Sequence, residues 1–300
     1  MRWPPPETWP HRELSRQVYA PPHRWHVQEA GTGETLILLH GAAASAHSFR
    51  DLLPKLARDH RVVALDLPGH GFTRLGARHR SGLRPMSDDL ARLFADQGWH
   101  PHAVIGHSAG GAIALRLAQI LPETPHVIGL NPALSNFDGM AGVLFPALAK
   151  LLAMSPFTAA FFAQSIGWPE PVRQIIRGTG SILPPAGIEL YRKLVANREH
   201  VDGTLLMMAQ WSLENFDRNL SSFGVPCDFM TGAKDRAVPP NTTDRAAARL
   251  PLARVTQIAD LGHLMHEEDP DRIADLILAR LANPPSKTKA ADPVAAFSSD

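Results

Sequence analysis

Cysteine is almost absent from this sequence. Cys227 is the only cysteine among 300 residues, so the chain cannot form an internal disulfide. A chain without disulfides is typical of a reducing compartment, and we expect a cytoplasmic protein. Cys227 follows a proline at the start of an apolar run, which indicates a small buried strand residue rather than a nucleophile.

The sequence also lacks an excess of charge of either sign. It has 30 Lys and Arg residues against 29 Asp and Glu residues, which gives a formal net charge of +1. A broad positive surface for nucleic acid is therefore not expected. Histidine is plentiful, with 15 residues, but no HxxxH or CxxC spacing indicates a metal site. We expect neither a metal nor an organic cofactor.

Long hydrophobic runs are missing as well. The residues from Met1 to Glu7 are rich in proline and contain no apolar stretch of the kind found in signal peptides. The longest apolar region, residues 141–154, is interrupted by Pro146 and Lys150 and is too short to span a bilayer. We expect no transmembrane segment, while peripheral contact with a membrane surface stays open.

What the sequence does contain is a regular alternation of short apolar runs and helical patterns. Runs such as 35–39 and 61–65 end in glycine- or proline-containing turns, which is typical of buried strands. A helix is predicted at 86–97, with Ser87 as its N-cap, and another at 112–121. Strands that alternate with helices predict a mostly parallel central sheet with helices on both faces, an α/β fold.

This alternation breaks in the middle of the chain. Between about residues 135 and 223 the sequence is helical in character and rich in proline, without a clear strand. We therefore expect a helical insertion in an α/β core, with a tail too poor in large apolar residues to fold. The predicted segments are an N-terminal lead-in at 1–22, core at 23–134 and 224–283, a helical cap at 135–223 and a disordered tail at 284–300.

The strongest chemical signal is Gly106-His107-Ser108-Ala109-Gly110. This G-x-S-x-G segment lies between a predicted strand and a predicted helix, which is the context that an exposed nucleophilic serine requires. The glycines are needed because a Cβ there would collide with the neighbouring strand or helix. The serine then stands at a helix N-terminus, where the dipole favours developing negative charge. Ser108 is the predicted nucleophile, and a turn that merely packs a helix on a strand is the alternative.

The predicted base is His263. A serine hydroxyl is a weak nucleophile at neutral pH and needs a base to take its proton. His263 lies between the last predicted strand and the last helix, at the same sheet edge as Ser108. His266 is the rival, but it opens an acidic run that leads into the helix. A side chain at the loop apex after a glycine is better placed to reach the serine, so His263 is favoured.

The predicted acid is Asp235. It follows the strand before the last one, again at the same sheet edge, where a carboxylate can orient the imidazole and stabilise its protonated form. The order Ser108, Asp235, His263 along the chain is the order of α/β-hydrolases. Asp138 is the runner-up, because it follows the strand after the nucleophile helix.

A glycine-containing turn after an early strand supplies the fourth element. His40-Gly41-Ala42 follows the run 35–39, so the backbone N–H of Ala42 can form an oxyanion hole together with that of Ala109. His40 is expected to brace this loop rather than to carry protons. The later segment 66–71, which contains His70, is interpreted as a structural turn in which two glycines permit positive φ.

These motifs together resemble the α/β-hydrolase superfamily over about residues 24–283, in the family's order. A narrower set of segments is similar to the magnesium-chelatase accessory proteins of bacteriochlorophyll biosynthesis, the BchO type. This similarity extends through the predicted cap, where hydrolases normally diverge. The segments are Trp9–Ser15, Trp25–Gln28, Gly71–Thr73, Gly106–Gly110, Gly129–Leu134, Phe145–Ala149, Thr179–Ser181 and Met207–Trp211.

The resemblance implies an α/β-hydrolase fold with a cap and a role at or near magnesium insertion into protoporphyrin, with no reaction attached to that role. Epoxide hydrolases and haloalkane dehalogenases look similar in fold, but they use an aspartate where this chain has Ser108. Two hypotheses follow. The first is a serine hydrolase that acts on an acyl bond of an apolar substrate. The second is a tetrapyrrole-binding or chelatase-assisting protein, in contact with magnesium chelatase, in which the triad is secondary. We expect His107, Phe145 and Trp211 to contact the bound molecule.

Overall fold

The central sheet is the frame of the molecule. The structure of the protein is a computed structural model that describes residues 1–135, 168–213 and 220–285. The strands of these residues are β1 Ser15–Ala20, β2 His23–Ala30, β3 Thr35–Leu39, β4 Arg61–Leu65, β5 Pro101–His107, β6 His126–Leu130, β7 Cys227–Gly232 and β8 Ala253–Ile258. They form one eight-stranded sheet in the order β1-β2-β4-β3-β5-β6-β7-β8.

Most of this sheet is parallel. Strands β3 to β8 pair in parallel with their neighbours, while β2 runs antiparallel to both β1 and β4. The predicted α/β fold class is therefore confirmed. The expected boundary at residue 22 divides a hairpin, because β1 pairs with β2 along its whole length, from Ser15 opposite Gln28 to Ala20 opposite His23. The hairpin as a whole belongs to the sheet.

Helices cover both faces of the sheet. They are α1 Leu53–Leu56, α2 Leu83–Gln97, α3 Ala109–Ile120, α4 Pro169–Gly178, α5 Pro185–Val195, α6 Arg198–Gln210, α7 Pro240–Ala247, α8 Met265–Glu268 and α9 Pro270–Ala282. Successive residues of a strand point to opposite faces, so Ile37 and Leu39 of β3 pack with α2 and α3. Leu36 and Leu38 pack on the other face with α1 and α9.

Helix α2 begins earlier than the sequence predicts. Its first residue is Leu83, preceded by the extended Gly82, and Pro85 fits within the first turn because the N–H it lacks would have no helical partner there. Ser87 is therefore not an N-cap. Its hydroxyl lies inside the helix and donates to the Leu83 carbonyl at 2.8 Å.

Helices α4, α5 and α6 lie within the segment predicted to be a helical cap. A third apolar cluster joins α4 and α5 to the core, with Val172 and Tyr191 packing near Trp9 and Phe72. Helix α6 contributes Met207 to the first cluster instead. No helix among the described residues is both long and apolar enough to cross a bilayer. The remaining residues of the predicted cap, 136–167 and 214–219, and most of the predicted tail, 286–300, lie outside the described residues.

Candidate active site

The four predicted elements of the site lie at one edge of the sheet. Because strands β3 to β8 are parallel, their carboxyl ends meet at the same edge, where ligands of open α/β sheets bind. Strand β3 leads into His40, β5 into Ser108, β7 into the loop of Asp235 and β8 into the loop of His263. The order of the strands thus brings together residues that are up to 223 positions apart in the sequence, counting from 40 to 263.

Ser108 occupies a strained turn between β5 and α3. Its backbone has φ 52° and ψ −117°, a conformation that costs about 1–3 kcal/mol for a residue with a side chain. Neighbouring backbone holds it there. Its N–H donates to Leu130 at 3.0 Å, and its carbonyl accepts from Gly111 at 3.0 Å and from Ala133 at 2.9 Å. The turn therefore holds Ser108, which is half-buried, at the start of α3.

The two outer glycines make this turn possible. A Cβ on Gly106 would lie 2.2 Å from the carbonyl oxygen of Gly110, and a Cβ on Gly110 would lie 2.2 Å from that of Leu39. Both distances are far below van der Waals contact. The collisions expected from the sequence are therefore present, one with the helix and one with the neighbouring strand.

Asp235 and His263 form the acid–base pair. His263 Nδ1 donates to Asp235 Oδ2 at 2.8 Å, and the other carboxylate oxygen accepts from the N–H groups of Ala237 and Val238, each at 2.8 Å. Both oxygens are thus occupied, which fixes the carboxylate and the imidazole. With the proton on Nδ1, Nε2 is left as the basic nitrogen.

The contact between Ser108 and His263 is the remaining link of the predicted triad. In the part of the chain that the structure describes, no hydrogen bond links Ser108 Oγ to the His263 ring. Catalytic hydrogen bonds are often long in free enzymes and tighten when substrate binds. The assignment of His263 as the base of Ser108 stays a prediction, supported by the shared edge and by the pair with Asp235.

His266, the rival base, makes no hydrogen bond to the acid. It is fully buried, neither ring nitrogen has a hydrogen-bond partner, and its ring packs on Phe49 and His107 at 5.1 and 4.5 Å between centroids. Burial lowers the pKa of His266 to about 3. The runner-up acid, Asp138, lies outside the described residues.

Asn131, which sequence reasoning missed, holds the histidine loop. Its side-chain amide donates to the carbonyls of Gly262 and His263, each at 2.9 Å, and its oxygen accepts from Gly232 at 2.8 Å. It adopts φ 45°, which asparagine tolerates better than most residues. An asparagine directly after an apolar strand was the only sequence signal, and nothing in it indicates which loops the side chain joins.

His107 supports the same loop, and its predicted contact with substrate stays a prediction. Its ring is buried, with 2% of the residue exposed, and Nε2 donates to the His263 carbonyl at 2.9 Å. Burial and the neighbouring imidazoles His266 and His263 lower the pKa of His107 well below its ordinary value, so the ring is neutral. A neutral ring with its proton on Nε2 is a donor for that carbonyl.

The predicted oxyanion hole flanks the serine. A Cβ on Gly41 would lie 2.9 Å from Ser108 Cβ, so the loop that carries Ala42 passes directly against the nucleophile. Ala109 is the first residue of α3, where a backbone N–H has no acceptor within the helix. His40 is fully buried and braces the loop, accepting from the N–H of Leu67 at 2.9 Å and donating to the Gly41 carbonyl at 2.7 Å. Ala42 and Ala109 stay the predicted donors.

The turn at 66–71 is structural, as its glycines indicated. Asp66 is buried and accepts from the N–H groups of Ala46 and Phe72 and from His26 Nδ1, each at 2.7 Å. Burial raises the pKa of Asp66, but His26 and these hydrogen bonds outweigh it and hold the pKa well below its ordinary value. Gly71 has φ 49° and packs against this carboxylate, where a Cβ would lie 2.1 Å from Oδ2.

The other predicted substrate contacts are less defined. Trp211 follows α6 and packs, partly buried, against the core cluster that includes α2 and α3. Its contact with substrate stays a prediction, and Phe145 lies outside the described residues.

A cavity of about 560 Å³ opens elsewhere in the molecule. Leu83, Arg116, Gln119 and Phe223 are among its lining residues. Arg116 lies eight positions along α3 from Ser108, roughly 12 Å at the helical rise. The cavity is thus at the opposite end of α3 from the candidate site.

Comparison with known proteins agrees with this architecture. The sequence model of the alpha/beta hydrolase family matches residues 36–276. The magnesium-chelatase 30 kDa subunit of Rhodobacter capsulatus is 44% identical over 275 residues, covering 91% of this chain and 96% of that protein. A pimeloyl-[acyl-carrier protein] methyl ester esterase of Xanthomonas axonopodis pv. citri is 26% identical, covering 87% of this chain and all of that protein. The solved structure of the epoxide hydrolase CorEH has a TM-score of 0.76 at 20% identity, covering 89% of this chain and 98% of that chain, and shows the fold alone.

Proposed function

The chain belongs to the alpha/beta hydrolase family, and from that premise we propose that it is a serine hydrolase that cleaves an ester-like or other acyl bond of an apolar substrate. The observation that carries the proposal is the 2.8 Å bond between His263 Nδ1 and Asp235, at the sheet edge where the strained turn holds Ser108. A buried carboxylate that orients an imidazole beside a serine is the arrangement that activates a hydroxyl.

In the proposed mechanism, Ser108 Oγ attacks the acyl carbon while His263 Nε2 takes its proton. Asp235 stabilises the imidazolium that forms, and the N–H groups of Ala42 and Ala109 donate to the oxyanion. His263 then returns the proton to the leaving group. Water, deprotonated by the same imidazole, attacks the acyl-enzyme. The imidazolium then returns that proton to Ser108 Oγ as the acyl C–O bond breaks and the acid product leaves. Each oxyanion donor is worth about 100- to 1,000-fold in turnover.

The substrate class is proposed from two observations. Apolar side chains such as Phe72, Leu183 and Leu264 form the cluster between the cap helices and the core, and binding pockets are mostly apolar. The 44% identity to a magnesium-chelatase subunit favours a place near the magnesium chelatase step of bacteriochlorophyll biosynthesis, with a tetrapyrrole as the candidate ligand.

The same identity supports a second candidate function. A protein that assists magnesium chelatase by binding a tetrapyrrole, or by contacting the chelatase, would need the fold and the cap but not the chemistry of Ser108. An apolar cap suits a flat macrocycle as well as an acyl chain.

One experiment separates the two functions. The gene is deleted in its own organism and restored as wild type, Ser108→Ala or Ser87→Ala, and the accumulated tetrapyrroles are quantified. Ser87 is a buried serine whose hydroxyl bonds only within α2, so Ser87→Ala is the matched control. If Ser108→Ala folds and fails to restore pigment while the control succeeds, hydrolytic chemistry is part of the pathway.

Restoration by both variants would mean that the protein acts by binding, and normal pigment in the deletion strain would remove the pathway assignment. Purified wild type and Ser108→Ala are also assayed on p-nitrophenyl esters. Ester turnover that survives in Ser108→Ala would contradict the assigned nucleophile.

A further inference from the structure

A short segment between α4 and α5 contacts both loops that carry the acid–base pair. The N–H of Arg236, next to Asp235, donates to the Thr179 carbonyl at 3.0 Å. The N–H of Leu264, next to His263, donates to Ser181 Oγ at 2.8 Å. A segment of the predicted cap is therefore bonded one residue away from each member of the pair.

Ser181 forms a bridge with Glu268. Ser181 is fully buried, and its hydroxyl donates to Glu268 Oε1 at 2.8 Å while it accepts from Leu264. The same Glu268 oxygen accepts the N–H of Gly262 at 3.0 Å. The two residues that flank His263 in the chain thus both donate their N–H groups to the Ser181–Glu268 bridge.

Close packing accompanies these bonds. Gly180 adopts φ 89°, and a Cβ there would lie 1.8 Å from the carbonyl oxygen of Lys234. A Cβ on Gly262 would lie 2.4 Å from the Gly180 carbonyl and 2.7 Å from Ser181 Oγ. Backbone therefore meets backbone on both sides of this segment, so a displacement of the segment is transmitted to the two loops.

We propose that Ser181 and Glu268 are positioning residues for His263: the bridge between them fixes the backbone on both sides of the histidine, and seating of the cap segment 179–181 sets the alignment of His263 and Asp235 with Ser108. This inference rests on the proposed hydrolase function. A misplacement of about 1 Å can cost about 100-fold in rate, so backbone bonds that never touch substrate are sufficient to control turnover.

The test compares four variants: Ser181→Ala, Glu268→Ala, Glu268→Gln and the control Ser87→Ala. The glutamine amide oxygen can accept both bonds that Glu268 Oε1 accepts, so Glu268→Gln keeps the bridge while it removes the charge and the second carboxylate oxygen. Each variant is measured for kcat and KM on a p-nitrophenyl ester, and for hydrogen exchange of the peptides that cover residues 259–268.

We expect Ser181→Ala and Glu268→Ala to lower kcat by about 10- to 100-fold with KM changed less than about threefold, because neither side chain is proposed to contact substrate and only the alignment is lost. Exchange at 259–268 becomes faster in both. Glu268→Gln keeps most of the activity and the slow exchange, and Ser87→Ala behaves as wild type.

The proposal is overturned if Ser181→Ala keeps the wild-type kcat, if Glu268→Gln loses as much as Glu268→Ala, or if exchange at 259–268 is unchanged in the alanine variants. Hydrogen exchange needs no turnover, so it still decides the question if the wild type cleaves no ester. In that case the proposed function fails separately, and faster exchange in the alanine variants alone would show that the bridge holds the histidine loop.

Discussion

Close backbone packing and hydrogen bonds hold both the nucleophile turn and the histidine loop, but the histidine loop depends in addition on side chains of remote residues. Around Ser108 the main constraint is steric: Gly106 and Gly110 allow backbone atoms to approach so closely that a Cβ would lie 2.2 Å from a carbonyl oxygen. Around His263 the close packing is joined by a set of hydrogen bonds to side chains of remote residues, including Asn131 and Ser181. The nucleophile turn requires that two positions carry no side chain. The histidine loop requires that particular side chains are present.

This difference matters because the two regions respond to different perturbations. A steric constraint fails abruptly when an atom is added, whereas a hydrogen-bond network weakens in steps as partners are removed. The nucleophile turn should therefore tolerate almost no substitution at its glycines, while the histidine loop should lose alignment gradually. Three changes would break or sharpen that contrast.

The largest effect is expected from Gly110→Ala. The new methyl group would overlap the carbonyl oxygens of Leu39 and His40, at 2.2 and 2.8 Å, and these belong to a central strand and its continuation, which cannot yield easily. We expect a loss of about 3 kcal/mol or more in the free energy of unfolding, measured with urea.

Gly178→Ala is the matched control for that substitution. Gly178 ends α4, and a Cβ there would meet nothing within 4 Å. Its free energy of unfolding should stay the same or rise by up to about 1 kcal/mol, since alanine favours the helix. Equal stability of Gly110→Ala and Gly178→Ala would contradict the steric account of the nucleophile turn.

A smaller effect is expected from substitutions of Asn131. Asn131→Gly removes the side-chain bonds without backbone strain and leaves the buried N–H of Gly232 unpaired, which costs about 1–3 kcal/mol. Asn131→Ala adds the strain of φ 45°, about 1 kcal/mol more. The difference between the two variants in urea unfolding therefore separates strain from hydrogen bonding, and a glycine variant as stable as wild type would exclude Asn131 as a support of the loop.

The smallest effect expected for a single residue is the loss of stability in mild acid, per pH unit. It acts through the buried histidines around the site. Burial lowers the pKa of His70 and of His266 to about 3, so each is neutral when folded, but each binds a proton below about pH 6.5 when unfolded. Stability is thus fully present above the unfolded pKa and falls as the pH drops from about 6.5 towards 3. The slope is about 1.4 kcal/mol per pH unit for each such histidine.

Thermal unfolding of wild type and His266→Leu between pH 5 and pH 7 tests this. The leucine variant removes a buried imidazole that has no hydrogen-bond partner. The free energy of unfolding of the variant should therefore fall less steeply as the pH drops, by about 1.4 kcal/mol per pH unit. Parallel pH profiles for the two proteins would contradict the assignment of His266 as neutral in the fold.

Sequence patterns predicted the parts of the molecule that are set by residues close in the chain or on an adjacent strand. The alternation of strands and helices predicted the parallel sheet, and the segment 106–110 predicted a turn whose glycines admit no side chain. Both follow from short-range rules, since strand burial and backbone crowding are set by neighbours in the chain or by the adjacent strand. The early start of α2 escaped prediction because Pro85 fits a first helical turn as readily as it precedes one.

The sequence by itself determined the candidate chemistry: a serine in a glycine-bounded turn, followed along the chain by Asp235 and His263, each after a strand. Only the tertiary structure decided which residues hold that chemistry in place. His107 proved to be a donor to the His263 carbonyl, and Ser181 and Glu268 to be partners of the same loop. These contacts join residues up to 156 positions apart, and hydrogen bonds across the sheet edge leave no periodicity or spacing in the sequence, because they depend on which loops the sheet order places side by side.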